Sequence, residues 1–476
     1  MSTTSAISDD PSIGPPISRI PVELTAKIFL CTKDGPLKVG DRGSIVFIIA
    51  SVCRGWRDIM TTGCPDLWRA LDLDLRDRGN SDIEVRRLKD FVSCALKRSR
   101  IRLLLIRFRS PTIDVGIQAA GSREIFRLLI HEAARWQSAS LWIDYNHLAL
   151  LEGIRNSRPP LRTFSINLSQ SGNLSSDNVR ALEFAGALEL VSISGLPRGA
   201  VIFLDTSSLT EFEEHRSSIE ANVLDTWIAL LPFANNLTSV AMWYGDILRV
   251  VYGRRSHALL PAVTSFSSGS IDVFDAVTLP KLALLSLSTI SERDDPLTLT
   301  AARRMLVRSN TSHTLRGLEI RNVPLTGDIV SIFDLSPCLD QVTLECNMWT
   351  PETDTIIRRL LTVKLAHCDM DGGLTCTPLL SRLRLTIAHQ LQPFSISFYN
   401  EGLVDMMEVR RPEDPDGRFS LCIVVEDSIQ RVTFVPLTSE SRSRLCQYHE
   451  HGCCLSLTVG GTIDEHITSV RGSSSW

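Results

Sequence analysis

The densest group of side chains capable of metal chemistry lies between residues 446 and 454. Thiolates and imidazoles are the ligands that zinc prefers in proteins, and zinc sites usually bring together ligand pairs from two segments separated by a loop. Here all the candidates form one run at the end of a predicted helix, Ser439 to His451, and the start of a predicted strand, Cys454 to Val459. We interpret the histidines as residues near the negative pole of that helix and the thiols as small core residues, and we expect no metal. The run comprises Cys446, His449, His451, Cys453 and Cys454.

Patterns typical of catalytic or cofactor-binding sites are absent from the sequence. It contains no phosphate-binding Gly-x4-Gly-Lys-Ser/Thr loop, no Gly-x-Gly-x-x-Gly, no Gly-x-Ser-x-Gly and no His-Glu-x-x-His. His367, Cys368 and Cys376 are scattered around one predicted strand and form no constellation. We therefore expect a protein that is not an enzyme and that uses no cofactor.

Length and charge narrow the class of protein. With 476 residues the chain exceeds the usual size of one domain, which favours several domains or a repeat architecture. A formal net charge of -4 gives no general electrostatic reason to bind nucleic acid or an anionic membrane. The basic stretch from Arg86 to Arg109 alternates with apolar residues, so we interpret it as the solvated faces of a helix and a strand.

Targeting signals are not apparent in the sequence. No apolar run reaches the roughly 18 to 20 residues that a membrane-spanning helix needs, so we expect a soluble protein. Residues 1–16 are rich in Ser, Thr, Pro and acidic residues, without a basic start or an apolar centre, which predicts a disordered tail and not a signal peptide. The 12 cysteines are then expected to be mostly reduced core residues in the cytoplasm or nucleus.

Two short apolar helices are predicted near the start of the chain. Pro21 favours a helix start because its φ is already fixed and the first helical turn does not need its missing N–H. Leu24, Ile28 and Phe29 would form the apolar side of that helix. A second helix is predicted to place its apolar residues on one face at spacings of three and four, and these are Ile45, Ile48, Ile49, Val52, Trp56 and Ile59. A segment of about fifty residues lies below the size that sustains its own core, so part of this apolar surface should meet a partner.

The order Pro21-Val-Glu-Leu24, Val52-Cys-Arg-Gly-Trp56-Arg57 and Pro65-Asp-Leu-Trp68 resembles an F-box. This is the helical module by which substrate receptors bind the small Skp-type adaptor of cullin-RING ubiquitin ligases. The resemblance covers residues 17–75. It implies that Trp68 closes the module against the following residues, and that the adaptor is bound by Pro21, Leu24, Ile28, Val52, Trp56 and Trp68.

A six-residue pattern recurs in the rest of the chain, apolar at positions one, four and six. Clear copies begin at residues 161, 188, 237, 282, 315, 339, 360 and 380, and degenerate copies at 209 and 263 bring the intervals to between 19 and 33 residues. This spacing is typical of leucine-rich repeats, in which each unit supplies one short strand and one helix. Leu285, Leu318, Val342 and Leu383 occupy the fourth position and are predicted to be buried, whereas Ser286, Glu319, Thr343 and Arg384 should lie on the opposite face.

Helical segments are predicted between these strands, at residues 122–136, 176–184, 221–231, 300–307 and 327–333. Each unit has an apolar side that it can bury only by stacking on its neighbours. The predicted fold is therefore α/β, with a helical F-box at 17–75 and an irregular leucine-rich-repeat-like solenoid at 76–436, in which parallel strands line the concave face and helices lie outside. Residues 437–476 would form a terminal repeat and tail.

As a whole the chain resembles F-box proteins with leucine-rich repeats, and more narrowly the expanded F-box families of mushroom-forming fungi. The resemblance implies a substrate-recognition subunit whose F-box binds the adaptor and whose solenoid binds a target protein. From the net charge and the length of the apolar runs we expect neither nucleic acid nor a membrane as a partner. The alternative is an interaction scaffold in which the helical segment only covers the end of the solenoid.

Overall fold

The computed structural model divides the chain into two compact units, and each is described here by itself. Unit 1 comprises Met1–Leu188 with Ile202–Asp205, and unit 2 comprises Glu189–Val201 with Thr206–Trp476. The predicted disordered tail at 1–16 lies outside the described residues. Those are 20–32, 35–38, 44–76, 81–111, 116–169, 178–248, 257–289, 297–347, 349–362, 380–387, 394–396, 403–404, 419–425, 432–434, 438–450, 453–459 and 462–463.

Unit 1 begins with three short helices, α1 (Val22–Cys31), α2 (Ile45–Val52) and α3 (Arg54–Asp58), followed by a π-helical turn at Ile59–Gly63. The prediction of one continuous face from Ile45 to Ile59 is wrong. Cys53 has an extended backbone, with φ -156° and ψ 168°, and it separates α2 from α3. Its Sγ accepts a hydrogen bond from the Trp56 amide at 3.4 Å, which caps the new helix. Trp56 therefore belongs to a helix of its own.

A parallel sheet follows in unit 1. Its strands pair in chain order and are β1 (Leu37–Lys38), β2 (Ala70–Asp74), β3 (Leu104–Arg109), β4 (Trp136–Ile143) and β5 (Thr163–Leu168). Buried residues align across the strands in rows such as Leu73, Phe108, Leu141 and Ile166. β3 is the strand predicted within the basic stretch from Arg86 to Arg109. The six-residue pattern has no copy before residue 161, so β1, β2 and β4 were not predicted, and β1 and β2 lie within the range predicted for the F-box.

The longer helices of unit 1 pack closely on each other. They are α4 (Asp82–Arg98) and α5 (Gly116–His131), and the one-turn helix α6 (Tyr145–Leu148) follows β4. Ser81 Oγ accepts a hydrogen bond from the Glu84 amide at 3.3 Å and so caps α4. A Cβ atom on Gly121 would lie 2.6 Å from Val85 Cγ2, so the absence of a side chain on α5 permits the close approach of α4.

The helix predicted at 176–184 is wrong for the part that the structure describes. Val179–Leu182 instead forms a strand, β6, which pairs in parallel with β8 (Ile202–Leu204). Val179 is buried, Arg180 is exposed and Ala181 is buried, an alternation of period two that fits a strand and not a helix.

Unit 2 is built on a second run of strands. Among the described residues each strand pairs in parallel with the next, except the last two, which are antiparallel. The strands pair in the order β7 (Leu190–Ser194), β9 (Glu211–Glu220), β10 (Ser239–Leu248), β12 (Ser265–Ser268), β14 (Leu284–Ser288), β15 (Gly317–Arg321), β16 (Gln341–Cys346), β17 (Arg382–Ile387), β19 (Phe419–Val425), β21 (Cys453–Val459) and β22 (Thr462–Ile463). Two short pairs lie apart from this sheet, β11 (Ala258–Leu259) with β13 (Val277–Thr278) and β18 (Phe394–Ile396) with β20 (Val432–Phe434).

The register confirms the predicted arrangement of the fourth-position residues. Leu285, Leu318, Val342 and Leu383 lie opposite one another on four adjacent strands, and all four are buried. The two degenerate copies join the same row, through Phe212 and Phe266. On the opposite face, a second row contains the residues predicted to point outward, Ser286, Glu319, Thr343 and Arg384.

Helices connect many of these strands: α7 (Ala221–Leu230), α8 (Ile271–Ala276), α9 (Leu297–Ser309), α10 (Asp328–Asp334), α11 (Pro351–Thr362) and α12 (Ser439–Glu450). The strand predicted from Leu360 is wrong for residues 360–362, which form the last turn of α11, while the rest of that copy lies outside the described residues. Thr350 Oγ1 caps this helix by accepting from the Thr353 amide at 3.1 Å, and Ile356, Ile357 and Leu360 are buried at helical spacing. A search of the described residues finds no helix that is long and apolar enough to span a membrane.

Candidate functional site

Helix α1 divides its side chains between two faces. Thr25 and Phe29 are buried, whereas Leu24 and Ile28 are 50% and 49% exposed. The prediction that Phe29 shares a face with Leu24 and Ile28 is wrong, because residues four positions apart share a helix face and adjacent ones do not. Phe29 thus anchors the helix, and Leu24 and Ile28 face solvent. Pro21 is exposed and directly precedes the first residue of α1, as predicted.

Helix α2 is divided in the same way. Val46 and Ile49 are buried, and Ile48 and Val52 are exposed. Val52 is 59% exposed although it is aliphatic, which leaves much of its apolar surface in water. Among the described residues, six of the 17 large apolar side chains that are exposed fall within the 31 residues from Val22 to Val52. This concentration makes the exposed faces of α1 and α2 the strongest candidate for a docking surface.

Two aromatic contacts support these helices from inside. The rings of Phe29 and Trp56 meet edge to face, with centroids 5.1 Å apart, so α3 packs against the buried side of α1. Trp56 is half-buried. Trp68 is only 2% exposed, its Nε1 donates to Met60 O at 2.8 Å, and the Arg98 guanidinium lies 4.5 Å from the centre of its ring. Trp68 is therefore not part of the exposed surface, and its packing on α4 fits the predicted role of closing the module.

A buried hydrogen-bonded chain in unit 1 has the connectivity of a catalytic triad. Ser122 Oγ lies 3.0 Å from His147 Nε2, and His147 Nδ1 lies 2.8 Å from Asp144 Oδ1. The carboxylate fixes the proton on Nδ1, so Nε2 accepts from the Ser122 hydroxyl, as in serine hydrolases. Burial opposes the charge on Asp144, but the hydrogen bonds that its carboxylate accepts from the ring and the backbone amide of His147 outweigh burial and lower the pKa of Asp144.

This chain lacks what a hydrolase needs around its nucleophile. All three side chains are almost completely buried, so a substrate cannot reach Ser122. Ser122 also lies inside α5, where the backbone N–H groups are engaged in the helix and cannot form an oxyanion hole. The rings of Phe108 and Phe126 pack on His147 at 5.8 and 5.3 Å. We interpret the cluster as a polar clamp that joins α5 to the start of α6.

Unit 2 contains a second buried polar cluster. Arg216 Nε donates to Glu214 Oε1 at 2.9 Å, and its Nη1 donates to the carbonyl oxygens of Pro197 and Ala200 at 2.7 and 2.8 Å. The hydroxyl of Tyr244 on the neighbouring strand donates to Glu214 Oε2. Burial and the charge of Glu214 raise the pKa of Tyr244 well above its usual range, so Tyr244 remains a donor. The cluster attaches the segment before β8 to strands β9 and β10.

Sequence reasoning missed both clusters, although each left a local signal. Asp144 and His147 have the spacing of an N-cap residue and its N3 partner, and Glu214 and Arg216 are two apart in a strand and so share a face. What the sequence could not show is that Ser122 and Tyr244, which lie 25 and 30 residues away from their hydrogen-bond partners along the chain, complete them.

Two cavities open on the described parts of the chain. One of about 510 Å³ lies in unit 1, where Arg69, Arg107 and Asp66 carry its charges beside Ser138 and Ser140. The other, of about 360 Å³, lies in unit 2 beyond the ends of β15 and β16 and is lined by Asn322, Asn347 and the start of α11. Cys346 and Glu352 both line the cavity in unit 2, but burial raises the pKa of Cys346 to about 12, which keeps the thiol protonated. No group of three potential metal ligands occurs among the residues that the structure describes. The predicted run at 446–454 lies outside that set, because His451 is outside the described residues and nothing is described of the side chains of Cys446, His449, Cys453 and Cys454.

Comparison with protein-family models gives no match, and comparison with curated proteins gives no similar sequence. A functional assignment therefore depends on the residues and geometry of the chain itself.

Proposed function

We propose that this chain is the substrate-recognition subunit of a Skp-cullin-F-box ubiquitin ligase, with an F-box at 17–75 and a leucine-rich-repeat-like solenoid after it. The observation that carries the proposal is the exposed apolar surface of α1 and α2. Leu24, Ile28 and Val52, which the F-box resemblance assigns to the adaptor, are each about half exposed or more although they are aliphatic. Exposed aliphatic residues grouped in this way are typical of protein interfaces.

The parallel strands support the second half of the proposal. In unit 2 the outward face carries short polar side chains such as Ser267 and Ser286, which are partly exposed. Trp243 and His215 stack on this face, with ring centroids 5.9 Å apart. A target protein held on such a face would sit beside the ubiquitin-transfer machinery, and tethering alone would raise the rate by making the encounter intramolecular.

A binding experiment with purified Skp-type adaptor tests the proposal. Truncation of an apolar anchor at the centre of an interface commonly costs about 2 kcal/mol or more, so the Leu24→Ala/Val52→Ala variant should lose the adaptor in a pull-down. Ile101→Ala is the matched control, because Ile101 is 90% exposed but lies outside α1 and α2. A folded double variant that retains the adaptor would exclude these residues as the docking surface.

Co-purification distinguishes the proposal from its alternative. A ligase subunit should bring down both the adaptor and a cullin, whereas an interaction scaffold with a helical cap should bring down neither.

The lysine distribution gives a further test, because Lys281 and Lys364 are the only lysines after Lys97. In a reconstituted ligase, mass spectrometry should find self-ubiquitination mainly on Lys27, Lys33, Lys38, Lys89 or Lys97.

A further inference from the structure

One exposed surface of unit 1 combines phenylalanine rings with arginine side chains. It consists of Arg155, Arg158, Arg180, Phe184 and Phe203, and we call it the arginine–phenylalanine surface. The guanidinium carbons of Arg155 and Arg158 lie 5.7 and 5.9 Å from the centre of the Phe184 ring, and that of Arg180 lies 5.4 Å from Phe203. Three of the five such pairs among the described residues occur here. Phe184 is 45% exposed, so the surface is open to a partner.

Two of the three guanidinium groups could pair with carboxylates of a partner. Arg155 Nη2 lies 2.7 Å from Glu183 Oε2, close enough for an ion pair although the atoms are not aligned for a hydrogen bond. Arg158 and Arg180 are exposed, and no carboxylate of the described residues lies within ion-pair distance of either guanidinium. Glu152 accepts a hydrogen bond from the backbone amide of Arg180 at 2.5 Å.

The backbone fixes the direction of Arg158. It ends the 3-10 helical stretch Ala149–Ser157 with φ 45° and ψ 61°, a left-handed conformation that is uncommon for residues other than glycine. Pro159 follows, and a proline disfavours the right-handed helical conformation for the residue before it. A guanidinium on a fixed backbone loses less conformational entropy when it binds.

We propose that the arginine–phenylalanine surface binds an acidic segment of a partner protein. Carboxylates of the segment would pair with Arg158 and Arg180, and its apolar side chains would cover Phe184. A protein fits better than RNA, because arginines already lie over the phenylalanine faces on which bases would stack. The inference does not depend on adaptor binding by α1 and α2.

Fluorescence anisotropy on the full chain tests this inference with four labelled probes. Three are 12-residue peptides with repeats of Glu-Glu-Leu, Gln-Gln-Leu and Lys-Lys-Leu, and the fourth is a 12-nucleotide oligouridine. We expect the Glu-Glu-Leu peptide to bind, the other three to bind at least 10-fold more weakly, and its binding to weaken as salt rises from 50 to 500 mM. Arg158→Gln/Arg180→Gln should weaken it at least 10-fold, and Phe184→Ser severalfold.

Matched variants control for charge and for folding. Arg86→Gln/Arg87→Gln removes the same charge from the exposed face of α4, and Phe233→Ser removes a ring that is 71% exposed in unit 2, so both should bind the acidic peptide like the unmodified chain. Thermal unfolding of every variant verifies the fold. Equal binding of the Gln-Gln-Leu peptide, tighter binding of oligouridine, or full binding by folded Arg158→Gln/Arg180→Gln would overturn the inference.

Discussion

Leu24 on α1 and Leu318 on β15 show how one amino acid acquires two roles. Leu318 lies between Leu285 and Val342 on the adjacent strands and is buried, whereas Leu24 shares its helix face with Ile28 and remains half exposed. Both belong to apolar patterns that the sequence makes evident. The difference is that the strands of unit 2 have neighbours from the same chain on both sides, while the exposed face of α1 has none among the described residues. Apolar surface without a partner in its own chain is available to another molecule.

In the buried interior of unit 2, the largest loss of stability is expected from a substitution of Arg216. Arg216→Met should lower the free energy of unfolding by about 3 to 5 kcal/mol, because it leaves the charge of Glu214 buried and unpaired. Glu214→Gln/Arg216→Met removes both charges and should recover part of that loss. Urea unfolding followed by circular dichroism measures both variants. A single variant as stable as the unmodified chain would contradict the pairing.

The two leucines can be compared directly. Leu318→Ala should lower the free energy of unfolding by about 2 to 5 kcal/mol, because it leaves a cavity in the row of buried residues. Leu24→Ala removes a half-exposed side chain and should cost less than about 1 kcal/mol. Adaptor binding should show the opposite order, with Leu24→Ala weakening it and a folded Leu318→Ala variant leaving it unchanged. Both variants should be measured for unfolding and for adaptor binding. If Leu24→Ala lowered the free energy of unfolding more than Leu318→Ala, the two roles would be refuted.

The polar clamp in unit 1 should make a pH-dependent contribution to the free energy of unfolding. The pKa of Asp144 is lowered in the folded chain, so its stabilisation is present above the pKa of an aspartate in the unfolded chain, about 3.9, and is lost as pH falls below it. Asp144→Asn should cost about 1 to 3 kcal/mol at pH 7 and flatten the acid side of the stability profile. Unfolding curves between pH 3 and 7 would show it. An unchanged slope below pH 5 would count against this role.

The smallest change in stability is expected at Gly55 in α3, near the exposed faces of α1 and α2. A Cβ atom at this position would meet nothing within 4 Å, and Gly55 lies inside α3. Gly55→Ala should therefore stabilise the chain by about 0.4 to 1 kcal/mol, mainly by restricting the unfolded state. Differential scanning calorimetry can detect this shift. A loss of stability would show that α3 is packed differently.

Sequence patterns predicted the strands of unit 2 well and some of the helices badly. The strand at Leu318 was predictable because its apolar spacing recurs on both neighbours, so that register and burial follow from the same residues. The pattern at Leu360 had the same spacing, but the cap at Thr350 and the buried Ile356 and Ile357 extend a helix through it. A spacing of one, four and six is compatible with both structures, and the residues that precede it decide between them.

The candidate docking surface was only partly predictable. Leu24, Ile28 and Val52 are exposed, in agreement with their predicted availability to a partner. The break at Cys53 was missed because an extended residue within an apolar run has no signature in hydrophobic periodicity. Trp68 could not be placed from its type alone, since a tryptophan serves an interface and a core equally well until its neighbours, here Phe47 and Arg98, are known.

The strictly sequential pairing in unit 2 has a consequence for how the chain folds during its synthesis. Between adjacent strands from β7 to β19, the longest step along the buried row, from Val342 to Leu383, spans 41 positions, and the shortest, from Phe266 to Leu285, spans 19. Parallel sheets usually form slowly because their partners are distant along the chain. Here each new strand of the main sheet needs only the strand that precedes it in that sheet, so the sheet can grow in the order in which the ribosome delivers it.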